Sequence, residues 1–330
     1  MVMSGAASGA PPREATLCYR TTSLTSGGVF PGVPRCAVDR RCALDYAMPL
    51  LRDVSDTARW AAMHRALESE RPDALFRDPY ARRLAGERGE QIVGQLEKTG
   101  PWAWALRTHL IDGVLLRSIE SGADTVVNLA AGLDARPYRM ALPPALRWVE
   151  VDLPPIVQEK ERALRGEQPA CRLERVTLDL ADEAERRRLF ARIGGEAKRA
   201  VVITEGLLVY LDPDQVLSLA RDLAGPASFW RWTLDLDSPG LLRMLRRSWG
   251  RPLEDAHSPL KFGPPEGPAF FEPAGWTPVE VHSIVKTAAR EKRIGLLRRL
   301  LARLPESSGR QGRRPWMGVC VLERRAPPAG

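Results

Sequence analysis

The chain of 330 residues is 44% hydrophobic and 27% charged, a composition typical of a globular protein with one large domain or two small ones. No stretch reaches the roughly 18 uninterrupted apolar residues of a membrane-spanning helix. No apolar core of signal-peptide length follows the first arginines, so we expect a soluble cytoplasmic protein. The net charge of +8 could indicate a nucleic-acid partner. Because the basic runs are not interleaved with aromatic residues, we expect neither a nucleic-acid nor a membrane partner.

The cysteines are too widely spaced to form a zinc site or a redox pair. The sequence contains no CxxC pair and no cluster of cysteine with histidine. We therefore expect no bound metal and reduced, structural thiols at Cys18, Cys36, Cys42, Cys171 and Cys320.

The N-terminal region differs in composition from the rest of the chain. Residues 1–46 are rich in Gly, Ser, Pro and Ala without apolar periodicity, which predicts a disordered extension. The patterned sequence begins shortly after Met48, which is therefore a candidate for the biological start. We expect a single domain over 47–330. Its predicted parts are a helical cap, a ligand-binding core, a lid or substrate loop and a C-terminal pair of strands with a helix, over 47–122, 123–236, 237–275 and 276–330.

The first patterned segments are helical. Apolar residues recur at helical spacing from residue 56, and Ser55 or Asp56 can cap that helix. A long amphipathic helix is predicted over 102–121, ending at Gly122. Beyond Gly122, apolar runs alternate with helical patterns. Strands are predicted at 125–129, 147–152, 173–180, 199–204 and 229–236, with helices between them at 155–165, 183–193 and 212–223.

This alternation predicts an α/β fold with a Rossmann-like, mostly parallel sheet covered by helices on both faces. Two late strands at 277–285 and 316–323 are expected to form an antiparallel edge. The intervening segment 237–275 is rich in Pro, Gly and aromatic residues, which is typical of a lid or binding loop.

Chemically suggestive residues follow four of the predicted strands. Ligands of an open parallel sheet bind beyond the carboxyl ends of its strands. The first strand ends in small residues that let a ligand approach the backbone. About 20 residues later the second strand ends in an acid, in the position that accepts hydrogen bonds from the ribose hydroxyls of an adenosine. The residues at the four ends are, in order, Ala130, Ala131 and Gly132; Asp152; Asp179 and Leu180; and Glu205.

A dinucleotide-dependent oxidoreductase is the alternative from a different enzyme class. It would need a GxGxxG loop that places a pyrophosphate on a helix N-terminus. Here Asp134 stands where a phosphate would come close. An acid repels a pyrophosphate but suits a cationic sulfonium or an amino group, so the loop favours S-adenosylmethionine over NAD(P).

The sequence resembles the leucine carboxyl methyltransferase family, including its bacterial branch of polyketide-type O-methyltransferases. The resemblance extends over about 53–323, and one departure is Ala130, where the family usually has glycine. The matching segments are DTARW at 56–60, LFRDP at 75–79, VVNLAAGLDARPYR at 126–139, EVDLP at 150–154 and TEGLLVYL at 204–211.

The resemblance implies a class I methyltransferase fold with an N-terminal helical cap, and S-adenosylmethionine as cofactor. In the family, two basic residues hold the methionine carboxylate, and Arg59 and Arg107 match their positions. The helical pattern alone would instead assign both arginines to the solvated surface. The strand ends would hold the methionine chain, the ribose and the adenine. The candidate cofactor-binding residues are Arg59, Arg107, Ala130, Ala131, Gly132, Asp134, Asp152, Leu153, Asp179, Leu180 and Glu205.

The resemblance also implies a carboxylate or hydroxyl as the methyl acceptor. A carboxylate is ionised at neutral pH and needs no base, whereas a hydroxyl would benefit from one. Candidates for that base are His109, Tyr210 and Asp235, and Tyr210 is the first choice for lining the acceptor pocket. Five aromatic residues could form a wall of the acceptor pocket or could simply fill the core, and both interpretations are equally good. They are Trp249, Phe262, Phe270, Phe271 and Trp276.

We expect a monomeric or homodimeric O-methyltransferase acting on a small molecule, such as an aromatic compound of the polyketide type. Methylation of a protein C-terminus is an alternative within the same family. A catalytically inactive cofactor-binding protein is a third, although candidate ligands at all four strand ends argue against it.

Overall fold

The computed structural model describes residues 51–96, 102–303 and 314–325. The predicted N-terminal extension, the candidate start at Met48 and three of the cysteines lie outside these ranges. Cys171 and Cys320 are buried free thiols, as expected. In the described part of the chain, no helix has the length and apolar character needed to cross a bilayer.

The chain forms a mixed sheet in the order β3-β2-β1-β4-β5-β7-β6. The first five strands run parallel, and β7 is antiparallel to both β5 and β6. This confirms the predicted α/β class and the antiparallel edge. The strands are β1 Thr125–Leu129, β2 Arg147–Asp152, β3 Arg172–Thr177, β4 Ala200–Thr204, β5 Phe229–Asp237, β6 Trp276–Ser283 and β7 Met317–Arg324.

Helices cover both faces of this sheet. They are α1 Val54–Ser69, α2 Ala81–Leu96, α3 Trp102–Glu120, α4 Arg136–Arg139, α5 Pro154–Ala163, α6 Glu183–Glu196, α7 Pro213–Ala224, α8 Pro239–Asp255, α9 Ile284–Arg290 and α10 Leu296–Leu301, with 3-10 helices at Leu208–Tyr210 and Gly267–Ala274.

The sequence of β1 explains why it occupies the centre of the sheet. All five of its residues are buried, because side chains alternate between two covered faces. Val127 and Leu129 pack into the core built with α6 and α7. Val126 packs into the opposite core, built with α3 and α9. Each such buried aliphatic side chain contributes about 1.5–3 kcal/mol to folding.

The cap of the first helix was predicted two or three residues too late. Asp53 is the N-cap, and its Oδ1 accepts hydrogen bonds from the backbone N–H groups of Ser55 (2.8 Å) and Asp56 (3.3 Å). Asp56 is instead buried, where its carboxylate accepts hydrogen bonds from Arg59 and Arg88. Its charge is therefore used in tertiary contacts.

The segment expected to be a lid loop is largely helical. Ser238 caps α8 by accepting a hydrogen bond from the N–H of Leu241 (3.1 Å), and Pro239 occupies the first turn, where its missing N–H costs nothing. Leu242 and Leu253 are buried against the helical cap. The proline and glycine content of this segment suggested a loop. The apolar residues between those prolines and glycines nevertheless recur at helical spacing, and the segment forms an amphipathic helix.

The strand order reverses between β1 and β4. From β1 the chain builds outward to β2 and β3 in one direction, and from β4 to β5 in the other. Crossover connections therefore leave this boundary in opposite directions, and a crevice opens at the carboxyl ends of β1 and β4. Ala130 and Glu205, which follow these two strands, stand at this crevice.

Candidate functional site

A cavity of about 590 Å³ opens at the carboxyl ends of β1, β2, β4 and β5. This volume lies within the range of small-molecule sites, roughly 300–1,000 Å³. Nine of the candidate cofactor-binding and base residues line it: Arg107, Ala130, Ala131, Gly132, Asp134, Asp152, Glu205, Tyr210 and Asp235. The sequence therefore located both the cavity and most of its polar floor.

The loop after β1 forms one wall, and Asp152 holds it in place. The carboxylate of Asp152 accepts hydrogen bonds from the N–H of Gly132 (2.6 Å) and the N–H of Leu153 (2.7 Å). Burial raises the pKa of Asp152 against the lowering effect of these two donors. Ala130 has a φ of 50°, a left-handed conformation that favours glycine, and this explains why the family usually has glycine there.

Asp134 lines the cavity, but neighbouring protein side chains already bind its carboxylate. Its carboxylate accepts hydrogen bonds from Asn128 Nδ2 (2.8 Å) and Arg136 Nη1 (2.7 Å). Burial opposes ionisation, but the charges of Arg136 and Lys160 outweigh it and hold the pKa of Asp134 well below its usual range. The sequence predicts that this acid suits a cationic ligand, and the structure adds that Asn128 and Arg136 already bind its carboxylate.

Glu205 connects two buried arginines beneath the cavity. Its Oε1 lies 3.0 Å from Arg107 Nε, and its Oε2 lies 2.8 Å from Arg136 Nη1. Burial alone would raise the pKa of Glu205, but these two charges lower it to about 2. Arg107 also donates from Nη1 to Asp235 Oδ2 (2.9 Å). The ends of β4 and β5 are thus joined through one guanidinium group from α3.

Gly206 adopts a left-handed backbone conformation beside the guanidinium group of Arg107. Its φ is 68°, and an added Cβ would lie 3.4 Å from Arg107 Nη1. Its N–H donates to Asp235 Oδ1 (2.8 Å). The Cβ distance of 3.4 Å is ordinary van der Waals contact, so the left-handed backbone is what favours glycine here.

Asp237 is a cavity-lining carboxyl that the sequence analysis did not single out. Its Oδ1 is shielded from solvent and accepts no hydrogen bond from the described residues. Burial and the neighbouring charge of Asp235 raise the pKa of Asp237 to about 7, and Arg107 offsets this only in part.

Tyr210 lines the cavity, as predicted. Burial raises the pKa of its hydroxyl to about 12, and the hydroxyl is hydrogen-bonded to Thr57. A tyrosine with so high a pKa is protonated at neutral pH. Its placement fits the predicted contact with an acceptor, and its protonation argues against a role as base.

The upper part of the cavity is apolar and aromatic. The rings of Trp60 and Trp104 lie 5.2 Å apart, and those of Trp60 and Trp249 lie 4.9 Å apart in a T-shaped arrangement. Met244 and Leu245 of α8 and Trp316 complete this compartment. Its walls favour contact with a flat, apolar molecule.

Arg59 and His109 do not line the cavity. Arg59 forms ion pairs with Asp56 (3.2 Å) and Glu159 (2.6 Å) instead. His109 follows Arg107 by two residues on α3, which places it about 200° around the helix on another face. The cofactor role for Arg59 and the catalytic role for His109 therefore find no support in the geometry.

Three other predicted contacts lie just outside the cavity lining. The third strand ends at Thr177, three residues earlier than expected, so Asp179 and Leu180 belong to the following turn. Asp179 is exposed, and its Oδ1 accepts a hydrogen bond from the N–H of Ala181 (2.9 Å). Leu180 packs on the core beside α6. Leu153 contributes its backbone N–H to Asp152 rather than a side chain to the cavity.

Of the five aromatic residues for which a pocket wall and core filling were both open, four fill the core. Phe262, Phe271 and Trp276 are buried in the core around Trp232, and Phe270 packs against that core. Of the five, Trp249 lines the cavity. Hydrophobicity alone could not separate a ring that fills the core from one that lines a cavity.

The sequence analysis did not single out Arg65, which lines the cavity, or Arg136, which pairs with two carboxylates of its lining. Arg65 lines the cavity and donates from Nη2 to the carbonyl of Leu133 (2.7 Å), which fixes the loop after β1. Its spacing from Ala58 and Ala61 places all three on one face of α1, a signal that was available in the sequence. Arg136 lies in one of the segments that carry the family resemblance, but composition and spacing do not distinguish it from a surface arginine.

Comparison with known proteins gives a family match over residues 58–224, described as leucine carboxyl methyltransferase. A protein of Streptomyces coelicolor, provisionally named as an S-adenosyl-L-methionine-dependent methyltransferase, is 36% identical over 198 residues, covering 56% of this chain and 70% of that protein. A similarly named protein of Parafrankia is 33% identical over 258 residues, covering 73% of this chain and 81% of that protein.

Two solved structures share the fold. A DUF574 family protein from Streptomyces avermitilis superposes with a TM-score of 0.54 at 16% identity, covering 81% of this chain and 97% of that one. A protein from Thermobifida fusca, provisionally described as a methyltransferase, superposes with a TM-score of 0.51 at 19% identity, covering 88% and 100%. The sequence match and these folds agree, so the chain belongs to the leucine carboxyl methyltransferase family of S-adenosyl-L-methionine-dependent methyltransferases.

Proposed function

We propose that this protein transfers the methyl group of S-adenosylmethionine to an oxygen of a small apolar molecule. The observation that carries the proposal is one cavity that joins the polar strand ends to an aromatic compartment. The polar part suits the cofactor and the aromatic part suits a flat acceptor. An aromatic molecule of the polyketide type, which the family resemblance implies, has this shape.

The donor set at the strand ends fits S-adenosylmethionine. Each carboxylate oxygen of Asp152 accepts one backbone N–H and keeps lone-pair capacity for a ribose hydroxyl. Gly132 has no side chain, so the backbone of its loop stays open to a ligand. Glu205 and Arg107 supply one negative and one positive group, as an amino-acid ligand requires.

When bound, S-adenosylmethionine supplies a methyl carbon made electrophilic by its sulfonium. The residues of this chain hold the acceptor against the strand ends and exclude water. Trp60 and Trp104 contribute rigid apolar walls from α1 and α3, and Trp249 closes the compartment from α8. The hydrogen bond to Thr57 fixes the Tyr210 hydroxyl at the boundary between the two parts.

Transfer of radioactive label tests this proposal. The full chain is incubated with methyl-labelled S-adenosylmethionine and a clarified lysate, and the products are divided into an organic extract and a protein gel. The proposal predicts label in the extract. Label confined to a protein band would instead indicate a protein acceptor and contradict a small molecule.

A matched control separates cavity-dependent transfer from background. Trp104→Ala removes one wall of the aromatic compartment, and Trp230→Ala removes a tryptophan outside the cavity lining. Extractable label should fall in the first variant and persist in the second. Equal loss in both would show that the change acts through folding rather than through the acceptor compartment.

A further inference from the structure

Two carboxyl groups on one face of β5 have different surroundings. Asp235 and Asp237 both line the cavity, because side chains two residues apart on a strand point to the same side. Asp235 accepts hydrogen bonds from Arg107 Nη1 (2.9 Å) and the N–H of Gly206 (2.8 Å). Asp237 Oδ1 is shielded from solvent without a donor in the described residues.

Such an oxygen is costly unless a ligand supplies the donor. A buried acceptor without a hydrogen bond costs about 1–3 kcal/mol. The opposite residue in the sheet register, Met317 of β7, also lines the cavity, and its thioether side chain has no hydrogen to donate. A neutral group that donates a hydrogen bond would satisfy Asp237 at this position.

The charged and titratable groups facing Asp237 come from three elements. They are Asp235 on β5, Arg107 on α3 and Tyr210 on the adjoining 3-10 helix. Arg107 also pairs with Glu205 and Asp235, so it offsets the charge of Asp237 only in part. Tyr210 is protonated at neutral pH. The surroundings of Asp237 are therefore net unfavourable to a second anion.

We propose that Asp237 accepts the proton of the methyl acceptor, and that the acceptor is consequently a neutral hydroxyl, such as a phenol, rather than a carboxylate. This assignment rests on the proposed methyl transfer. The hydroxyl O–H bond breaks and its proton moves to Asp237 Oδ1. The oxygen electron pair forms the new O–CH₃ bond, and the electron pair of the broken C–S bond stays on sulfur, leaving S-adenosylhomocysteine.

The acidity of Asp237 matches this role. Its pKa of about 7, raised by burial and by Asp235, lets it take a proton at neutral pH and release it after the product leaves. When ionised it also repels a carboxylate, since like charges in a shared site oppose ionisation. The same group therefore assists a hydroxyl and excludes an acid.

The test measures binding of two matched probes to the full chain saturated with S-adenosylhomocysteine. The probes are naphthol and naphthoate, with the substituent at the same ring position. If S-adenosylhomocysteine itself does not bind, the proposed function fails and not this assignment. At about pH 8.5, where Asp237 is ionised and naphthol is still largely neutral, we expect naphthol to bind at least about ten-fold more tightly than naphthoate.

Two variants with the same chemical change identify the residue responsible. Asp237→Asn should reduce the preference for naphthol to a few-fold and make it independent of pH between about 5.5 and about 8.5. Asp255→Asn, an exposed position on α8 outside the cavity lining, should behave as the wild type. Equal binding of the two probes to the wild type, an unchanged preference in Asp237→Asn, or no binding of either probe would overturn the assignment.

Infrared difference spectroscopy gives a readout that needs no acceptor. The spectrum of the wild type minus Asp237→Asn should show the carbonyl stretch of a protonated carboxylic acid below about pH 7, fading as the pH rises. A carboxylate signal at all pH values down to about 5 would show an ordinary acid and contradict the assignment.

Discussion

Asp235 and Asp237 lie two residues apart on one face of β5, yet Asp235 has an arginine and a backbone N–H as donors, while Asp237 Oδ1 has none in the described part of the chain. The first carboxyl holds the floor of the cavity together. The second is left for a ligand. Asp235 therefore has a structural role and Asp237 a chemical one, although the sequence shows the two acids only as part of a DLD segment.

The raised pKa of Asp237 predicts a stability that falls as the pH rises. In the folded state its pKa is about 7, above the ordinary aspartate value of 3.8, so the folded chain retains a proton that the unfolded chain has lost. Unfolding free energy should therefore decrease between about pH 4 and about pH 7 by an amount on the order of 1–4 kcal/mol from this group. Asp237→Asn removes this dependence, which urea unfolding at several pH values measures. Parallel curves for the variant and the wild type would contradict the shift.

Arg136 is predicted to be essential for folding. It is buried, with side-chain exposure of 2%, and it pairs with Asp112 (2.6 Å), Asp134 (2.7 Å) and Glu205 (2.8 Å). Arg136→Met would leave these carboxylates without their shared cation, so we expect a loss of about 3–5 kcal/mol in urea unfolding. Arg188→Met is the matched control. Arg188 is 73% exposed, and its loss should change stability by less than about 0.5 kcal/mol.

Gly206 is predicted to be unfavourable for any residue with a Cβ. Gly206→Ala places an L-residue in a left-handed backbone conformation, which costs about 1–2 kcal/mol, while its Cβ would only be in ordinary contact with Arg107. We expect lower thermal stability and weaker binding of S-adenosylhomocysteine together. Gly94→Ala, on the exposed surface of α2 with open space around its Cβ position, should stabilise the helix by about 0.5–1 kcal/mol. A neutral Gly206→Ala would contradict the role given to this turn.

The structure and the family resemblance give different predictions for two acids at strand ends. The resemblance implies that Asp152 and Asp179 both contact the cofactor, whereas only Asp152 of the pair lines the cavity. Asp152→Asn should weaken binding of S-adenosylhomocysteine by about 10–100-fold, the range for hydrogen bonds to a charged group. Asp179→Asn should leave the dissociation constant unchanged. A large effect at Asp179 would show that the turn after β3 closes on the cofactor.

The sequence was most informative where buried strands and a regular alternation defined the fold. β1, β2, β4 and β5 were placed within one residue of their observed ends, because their apolar runs have one structural interpretation. The third strand was extended too far, since Leu178 and Leu180 continue the apolar pattern beyond Thr177. The segment around α8 was misjudged because proline and glycine suggest loops, although Pro239 starts a helix well.

Site residues could be predicted where they directly follow a strand. They could not be predicted where the orientation of a side chain decides whether it lines the cavity. Asp152 and Glu205 were located by their positions alone. Arg59 and Arg65 both belong to α1, and only the helical spacing of Arg65 from the other cavity-lining residues of that helix separates them; Arg65 is the one that lines the cavity. Asp237 could not be separated from Asp235, because the difference lies in a partner that α3 brings from elsewhere in the chain.

Calorimetric titration of the purified chain with S-adenosylmethionine, S-adenosylhomocysteine and NAD tests the central claim most directly. The arrangement of Asp152, Glu205 and Arg107 around the cavity predicts saturable binding of the first two ligands, with one site per chain and no heat of binding for NAD. Binding of NAD in preference to either, or no binding of S-adenosylmethionine and S-adenosylhomocysteine, would contradict the assignment of this cavity as a methyltransferase site.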